Sequence, residues 1–376
     1  MDYTQRNPLP MPPSGAFESV RATIDTVFDW QYELRKKNLL ALYEKGKTLT
    51  WNANDLDWSI DVDAERLMGE RIANGAADLM NTLMSPPIPL APDELMRMQL
   101  NMNAFMLSQF LHGEQGALVA TAKIVQGVPW EEAKFYAANQ VADEARHVEV
   151  YHRYLTEKLG ISYEINPELR QLLDEIVCDA RWDITFLGMQ IMVEGLALAA
   201  FGVTRMQMAD EPLIQDLITR VMADESRHVA FGVISLADLY TNEMSASELR
   251  EREDFVIEAT HLLRDRLLME AVFERLGWDV KLWVDWAKQT PFMTGFRQMM
   301  FSKIVPNLKR LGLLTARVRA EYAKLDLLKF ETMKDSVEEP EMTPPHELVE
   351  LLMRFMADSS AAGMPAGGAG TAAPAA

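Results

Sequence analysis

Cysteine is nearly missing from this chain: Cys178 is the only one in 376 residues. No intrachain disulfide can form, which fits a reducing cytoplasm. With nothing nearby to mark it as a nucleophile, Cys178 is expected to be a small buried helix residue. Basic charge is short as well, with 37 Lys and Arg against 56 Asp and Glu and a formal net charge of -19. Nucleic acid and anionic membranes select basic surfaces, so neither is expected as a partner. The opening stretch MDYTQRNPLPMPPSGAF has neither a basic start nor an apolar run. No secretory signal is read there, and a cytoplasmic location is expected. No segment alternates with the period of a strand, so the expected class is all-α. What the chain does have is 48% hydrophobic content, enough for one large core or two small ones, and 24 Met that suit adaptable core filling.

The informative stretch is Phe186 to Val203, FLGMQIMVEGLALAAFGV, apolar except for Gln190 and Glu194. Its length alone would allow a membrane span. A carboxylate at the centre of a span costs roughly 3 kcal/mol or more unless something binds it, so no span is expected and Glu194 needs a partner. Three other stretches offer one. Glu114 lies in QFLHGEQGALV, and the segments DEARH and DESRH carry Glu144 with His147 and Glu225 with His228. Residues three apart share a helix face, so each Glu-x-x-His makes a two-pronged metal ligand. The chain therefore runs Glu, ExxH, Glu, ExxH, a duplicated helix pair. Four carboxylates and two imidazoles suit two ions of the iron or manganese type, whereas zinc usually wants thiolates or several imidazoles.

Start and stop signals place these residues on helices. Residues 1–16 are a Pro-rich arm. Residues 17–91 hold two helices, from Phe17 to about Lys45 and from Asp63 to about Met84, joined by a Trp/Asn/Asp loop and stopped by a proline cluster. Within 92–242, one helix from Pro92 to about Gln126 carries Glu114, and a second from Trp130 to Leu159 carries the first ExxH. A third from Asn166 to about Met208 carries Glu194, and a fourth, capped by Asp210 and ending near Tyr240, carries the second ExxH. Residues 243–335 are a helical extension: Ser245 to Gly277, then shorter helices broken at Pro291, Pro306 and Gly312. From 336 to 376 the chain is acidic and Pro-rich, then Ala/Gly-rich, and largely disordered, with one short helix possible at His346 to Met356.

The segments ADEARHVEVYHRYL, IMVEGLALAAFG and ADESRHVAFGVISL resemble the ferritin-like di-iron carboxylate oxygenase and oxidase superfamily. They look most similar to the ligand-binding oxidases related to the ribonucleotide reductase small subunit. The resemblance covers roughly residues 95 to 242. It implies a ferritin-like four-helix bundle with additional N- and C-terminal helices, and Glu114, Glu144, His147, Glu194, Glu225 and His228 as metal ligands. It also implies that Asp143 and Asp224 hydrogen-bond the ligand His of the opposite repeat, with Arg146 and Arg227 paired to those aspartates. Departures are equally specific. The Tyr-Val crosslink of the ligand-binding oxidases is not expected, because Met189 and Ala117 stand at those positions. Leu198 replaces the Thr of multicomponent monooxygenases, and Val221 replaces the additional His of aminobenzoate N-oxygenases. Tyr151, four residues after His147, matches the radical tyrosine of many reductase small subunits.

Positions one turn from the ligands are expected to line a dry substrate pocket: Leu107, Phe110, Leu111, Ala117 and Leu118, then Leu187, Ile191, Ala197, Leu198 and Phe201, with Val221 nearby. Gln190 is the one uncharged polar group expected beside it. The functional expectation is an oxygen-activating oxidoreductase with two Fe ions, or an Mn/Fe pair, and dioxygen as co-substrate. It would hydroxylate, desaturate or N-oxygenate a small apolar or amphiphilic molecule, drawing electrons from a reductase or ferredoxin, as a homodimer. A radical-generating reductase subunit supported by Tyr151 is the first alternative. An iron-storage or ligand-binding ferritin-like protein is the second.

Overall fold

Local chemistry sets the helix boundaries in the computed structural model, which describes residues 19–72, 81–82 and 84–339. α1 (Lys37–Thr48) starts where the Lys36 amide donates to Glu132 Oε1 at 2.6 Å, and α2 (Ala64–Arg71) is capped by Asp63. α3 (Pro92–Gly127) opens with proline in its first turn, and the Glu94 carboxylate accepts from the Ala91 amide. α4 (Glu131–Arg153) continues through a π-helical turn to Leu159 and stops at Gly160, whose φ of 62° needs no Cβ. α5 (Pro167–Cys178) is capped by Asn166. α6 (Trp182–Gln207) and α7 (Pro212–Asp238) complete the central set. Beyond it lie α8 (Ala246–Asp265), α9 (Glu270–Leu276), α10 (Val280–Gln289), α11 (Pro291–Met299), α12 (Ile304–Arg310) and α13 (Ala316–Lys324). No strand occurs among the described residues.

α3, α4, α6 and α7 are the four that carry the ligand residues. α3 packs most extensively on α4, α6 packs on α7, and α1 lies across α4 and α7. α6 is long and apolar enough to cross a membrane by length and composition, yet 94% of its apolar window is buried within the molecule. Its greasiness therefore serves an interior position, covered on all sides by other helices.

Several expected boundaries are corrected. Residues 19–36 are not helical: of the positions that set the expected spacing, Val20, Phe28 and Leu34 are exposed and Ile24 and Val27 only half-buried, so no continuous face is covered. The segment is instead tied to α3 and α4, with the Val27 amide on the Gln126 carbonyl and Lys134 Nζ on the Val27 carbonyl. The helix expected from Asn166 to Met208 breaks at 179–181. There Lys123 Nζ takes the Val177 and Asp179 carbonyls, and Asp179 accepts from the Arg181 amide. Glu211, not Asp210, caps α7 by accepting from the Leu213 and Ile214 amides. The helix expected from Ser245 to Gly277 breaks at a 3-10 turn, Arg266–Leu268, followed by Met269 at φ 58°. Pro306 breaks nothing, since it sits in the first turn of α12 where no amide partner is needed. Cys178 is exposed at the end of α5. The arm at 1–16, part of the helix expected to reach Met84, and the tail from 340 onward lie outside the described residues.

Candidate metal centre

Glu114 projects from α3, Glu144 and His147 from α4, Glu194 from α6, and Glu225 and His228 from α7; all six are at most 6% exposed. Burying four carboxylates without partners is prohibitive, so the arrangement demands compensating positive charge. Their ligand atoms form two groups. Glu114, Glu144, His147 and Glu225 make one, and Glu144, Glu194 and His228 make the other. Both imidazoles turn Nδ1 inward: His147 Nδ1 lies 3.1 Å from Glu225 Oε1 and 3.5 Å from Glu144 Oε2. His228 Nδ1 lies 3.1 Å from Glu144 Oε1 and 3.5 Å from Glu225 Oε1. Glu144 and Glu225 thus stand between the two histidines, while Glu114 and Glu194 flank one side each. Buried Glu144 Oε2, Glu194 Oε2, both Glu225 oxygens and His228 Nδ1 have no hydrogen-bond partner among the described residues. Orphaned lone pairs converging on two points, all oxygen or imidazole nitrogen, fit a pair of iron or manganese ions.

The outward ring nitrogens are held crosswise. His147 Nε2 meets Asp224 Oδ2 at 3.1 Å and His228 Nε2 meets Asp143 Oδ2 at 3.3 Å, each aspartate coming from the other repeat. An N–H donated outward leaves Nδ1 as the electron-pair donor facing the centre, and makes it more basic. Arg146 donates to Asp143 and reaches Asp224 at 3.3 Å; Arg227 donates to Asp224. The structure thus brings together all ten residues named for the ligand set and its supports.

Electrostatics follow from burial and crowding. Glu114 and Glu194 are pushed well above the ordinary carboxylate value, first by burial and then by the Glu225 carboxylate. Glu144 goes the other way: burial opposes its charge, but His228 and His147 outweigh that and hold it low. Burial also opposes charge on the histidines, yet Glu114 beside His147 and Glu144 beside His228 raise both well above the usual imidazole range. Without metal, protons supply the compensating charge.

Two contributors were not among the sequence candidates. Gln140 Nε2 donates to Glu144 Oε1 at 2.8 Å and Glu194 Oε1 at 3.0 Å, orienting a ligand from each of two helices. Its place four residues before Glu144, on the ligand face, was the available signal. Trp51 Nε1 donates to Asp224 Oδ2 at 2.7 Å, its ring stacks on His147, and the Arg146 guanidinium lies 4.7 Å above it. No spacing rule links position 51 to 224. Tyr151 is fully buried against Phe110 and Phe201; its hydroxyl has no hydrogen-bond partner among the described residues, and burial, then the Glu114 charge, raises its pKa well above normal.

A cavity of about 20 Å³ adjoins the centre, lined by Gln109, Phe110, Gly113, Glu114, Ala117, Met189, Val193, Glu194, Ala197, Phe201, Glu225 and Arg266. Of the expected pocket residues, Phe110, Ala117, Ala197 and Phe201 are there. Leu187, Gln190, Ile191, Leu198 and Val221 are buried elsewhere in the core, and Leu118 is half-buried. For Leu187, Gln190 and Ile191 the reason is the π-helical stretch Leu187–Val193, whose wider turn puts Met189, five residues before Glu194, where an α-helix would have put Gln190 or Ile191. Gln190 instead packs under Gly232, where a Cβ would come within 2.7 Å of it, and donates weakly to Thr121 Oγ1 at 3.4 Å.

The described residues form an all-α bundle in which four long helices surround the buried carboxylate and histidine cluster. No family model and no curated protein matches this chain. Among solved structures it is similar to an R2-like ligand-binding oxidase, a tyrosine-to-phenylalanine mutant with an anaerobically reconstituted Mn/Fe cofactor. That similarity has 16% identity and a TM-score of 0.39, over 79% of this chain and 93% of the other. The residues on which the sequence resemblance rests, six carboxylate and imidazole side chains with two crosswise aspartates, lie together in three dimensions.

Proposed function

We propose that the protein is an oxygen-activating di-metal oxidoreductase that hydroxylates, desaturates or N-oxygenates an organic molecule with an apolar body. The observation that carries this reading is the convergence of orphaned, buried carboxylate and imidazole atoms from four helices on two adjacent points. A pair of iron ions, or manganese with iron, would supply electrons and open positions to dioxygen there. Glu144 and Glu225 would serve both ions, with Glu114 and His147 on one and Glu194 and His228 on the other. Asp143 and Asp224 hold the imidazole tautomers, and Gln140 keeps Glu144 and Glu194 in register. Phe110, Ala117, Val193 and Phe201 keep water from the cavity side, which protects a strong oxidant and favours an apolar reacting group. Electrons would come from a separate reductase or ferredoxin. The hydrogen-bonded line Trp51, Asp224, His147 joins the half-buried amino-terminal loop to the centre and supports a contact there.

The test combines metal analysis with oxygen reactivity. Protein from defined medium is expected to hold two ions per chain, and the anaerobically reduced form to change its optical spectrum on exposure to oxygen. Glu194→Ala is expected to lose metal stoichiometry and turnover; full activity in that variant refutes the assignment. One observation favours the radical-generating alternative, the unpartnered Tyr151 hydroxyl beside Glu114. A persistent tyrosyl signal by electron paramagnetic resonance that disappears in Tyr151→Phe would select that alternative.

A further inference from the structure

Two buried arginines are neutralised by carboxylates: Arg252 clamps Asp183 at 2.8 and 2.9 Å, and Arg227 donates to Asp224. Arg297, on α11, makes no ion pair with any described residue. It is 8% exposed, its Nη2 donates to the Lys288 carbonyl at 3.2 Å, and its buried Nε donates to no described residue. Burial lowers its pKa, the Arg264 guanidinium lowers it further, and the charge of Asp265 opposes them. Arg297 lines a cleft of about 600 Å³ formed by α8, α10, α11 and α13, which shares no lining residue with the cavity beside the metal centre. Most other charges in this lining are matched. Arg264 holds Asp265 at 2.7 and 2.8 Å, Lys324 donates to Glu321 at 2.6 Å, and Asp326 accepts from Lys329 at 2.8 Å. Glu168 acts on Arg266, whose pKa its charge raises against the effect of burial. That leaves Arg297 and Lys288 as cations, with Glu270 at the exposed start of α9 as the anion.

We propose that this cleft binds a small molecule carrying a phosphate monoester, with Arg297 as the buried anchor and Lys288 and Arg264 assisting it. A guanidinium presents a planar fork of donors suited to phosphate oxygens, and a neutral ligand would leave that fork buried and unpaired. A phosphate monoester brings roughly 1.5 to 2 negative charges at neutral pH and three acceptor oxygens. That answers two unmatched cations together with the Nη1 groups of Arg297 and Arg264, neither of which donates to a described residue. A carboxylate brings one charge and fewer oxygens. Leu268, Phe301 and Leu327, all buried, supply an apolar wall for the carbon body of the ester. The volume lies in the range that holds a whole small molecule and not merely an ion. Nothing in this site depends on the di-metal reading, because none of its residues belongs to the ligand cluster.

The test is calorimetric titration of the full chain with phenyl phosphate, inorganic phosphate, benzoate and benzyl alcohol, repeated on Arg297→Gln, Arg297→Lys and Lys288→Ala. Phenyl phosphate is expected to bind tightest of the four. Arg297→Gln is expected to weaken it about tenfold or more, as loss of a charged hydrogen bond implies. Arg297→Lys is expected to keep part of the affinity, because the charge stays while the fork is lost. Lys288 is exposed, so Lys288→Ala spares the core; it is expected to weaken phenyl phosphate roughly two- to fivefold, as for an exposed charge pair. That variant carries the test if neither Arg297 variant folds. Phenyl phosphate affinity unchanged in Arg297→Gln, or in Lys288→Ala where the Arg297 variants do not fold, places the phosphate elsewhere, the metals included, and overturns the proposal. Benzoate binding as tightly as phenyl phosphate overturns the choice of phosphate. Inorganic phosphate binding as tightly overturns the small-molecule site, because the apolar wall would then contribute nothing. Failure of every probe to bind overturns it as well.

Discussion

The two halves of the centre share a ligand pattern but not their surroundings. On one side, Asp224 holds His147 and also receives Arg227, Arg146 and, from far along the chain, Trp51. On the other side, Asp143 holds His228 and, among the described residues, otherwise receives only Asn139 and Arg146 from its own helix. Four residues past each histidine stand Tyr151 in one copy and Gly232 in the other, and Gln190 fills the space that the glycine leaves. The repeated pattern therefore set the six converging side chains, while neighbours outside the repeat made one half a connected site and the other an enclosed one.

The largest break in this comparison is expected from a residue that serves both halves. Glu144→Ala should abolish binding of both ions and reduce turnover to background, whereas Glu114→Ala and Glu194→Ala should each weaken one ion more than the other. Metal titration followed by mass spectrometry of the intact protein would read this difference directly. Equal loss in all three variants would mean that the halves load as one unit.

Next comes pH. In the metal-free centre Glu114, Glu194, His147 and His228 all keep protons above their ordinary ranges. Metal binding must expel those protons, so apparent affinity rises with pH. Because the imidazole values are raised, the rise should continue past pH ~7, where a histidine of ordinary pKa, about 6.5, would already have levelled off. Affinity that is flat above that point counts against the proton-filled centre.

Removing one outward partner sharpens the asymmetry. Asp224→Asn and Asp143→Asn are each expected to lower metal affinity roughly 10- to 100-fold. The loss should be greater for Asp224, because Trp51, Arg146 and Arg227 all depend on it. The smallest effects are on stability. Trp51→Phe should cost about 1 kcal/mol, the value of one hydrogen bond, and leave metal content intact. Tyr151→Phe removes a hydroxyl that has no partner, so unfolding in denaturant should shift by less than about 0.5 kcal/mol.

How much of this was legible depends on the separation of the interacting residues. Glu-x-x-His is a local geometry that any helix enforces, so Glu144 with His147 and Glu225 with His228 could be paired from spacing alone. Glu194 announced itself as a charge in an apolar run. Gln140 was also within reach from its place one turn before Glu144, but that weak signal gained meaning only once its two carboxylate partners were seen. The pocket was harder. Counting back from Glu194 in α-helical turns selects Gln190, Ile191 and Leu187, and the π-helical stretch moves them all off the cavity wall. Amphipathic spacing between Phe17 and Lys45 also misled, because periodicity makes a helix only when a neighbour is there to cover its face.

By itself, the amino-acid order determined the helix class, the repeated Glu and Glu-x-x-His pattern and the need for positive charge in the interior. These depend on contacts within a turn of helix or on the cost of burying carboxylates. Tertiary structure alone decided which imidazole is wired to Trp51 and which side chains wall the cavity. Each of those joins residues tens to hundreds of positions apart, and only packing brings such distant groups within hydrogen-bonding reach.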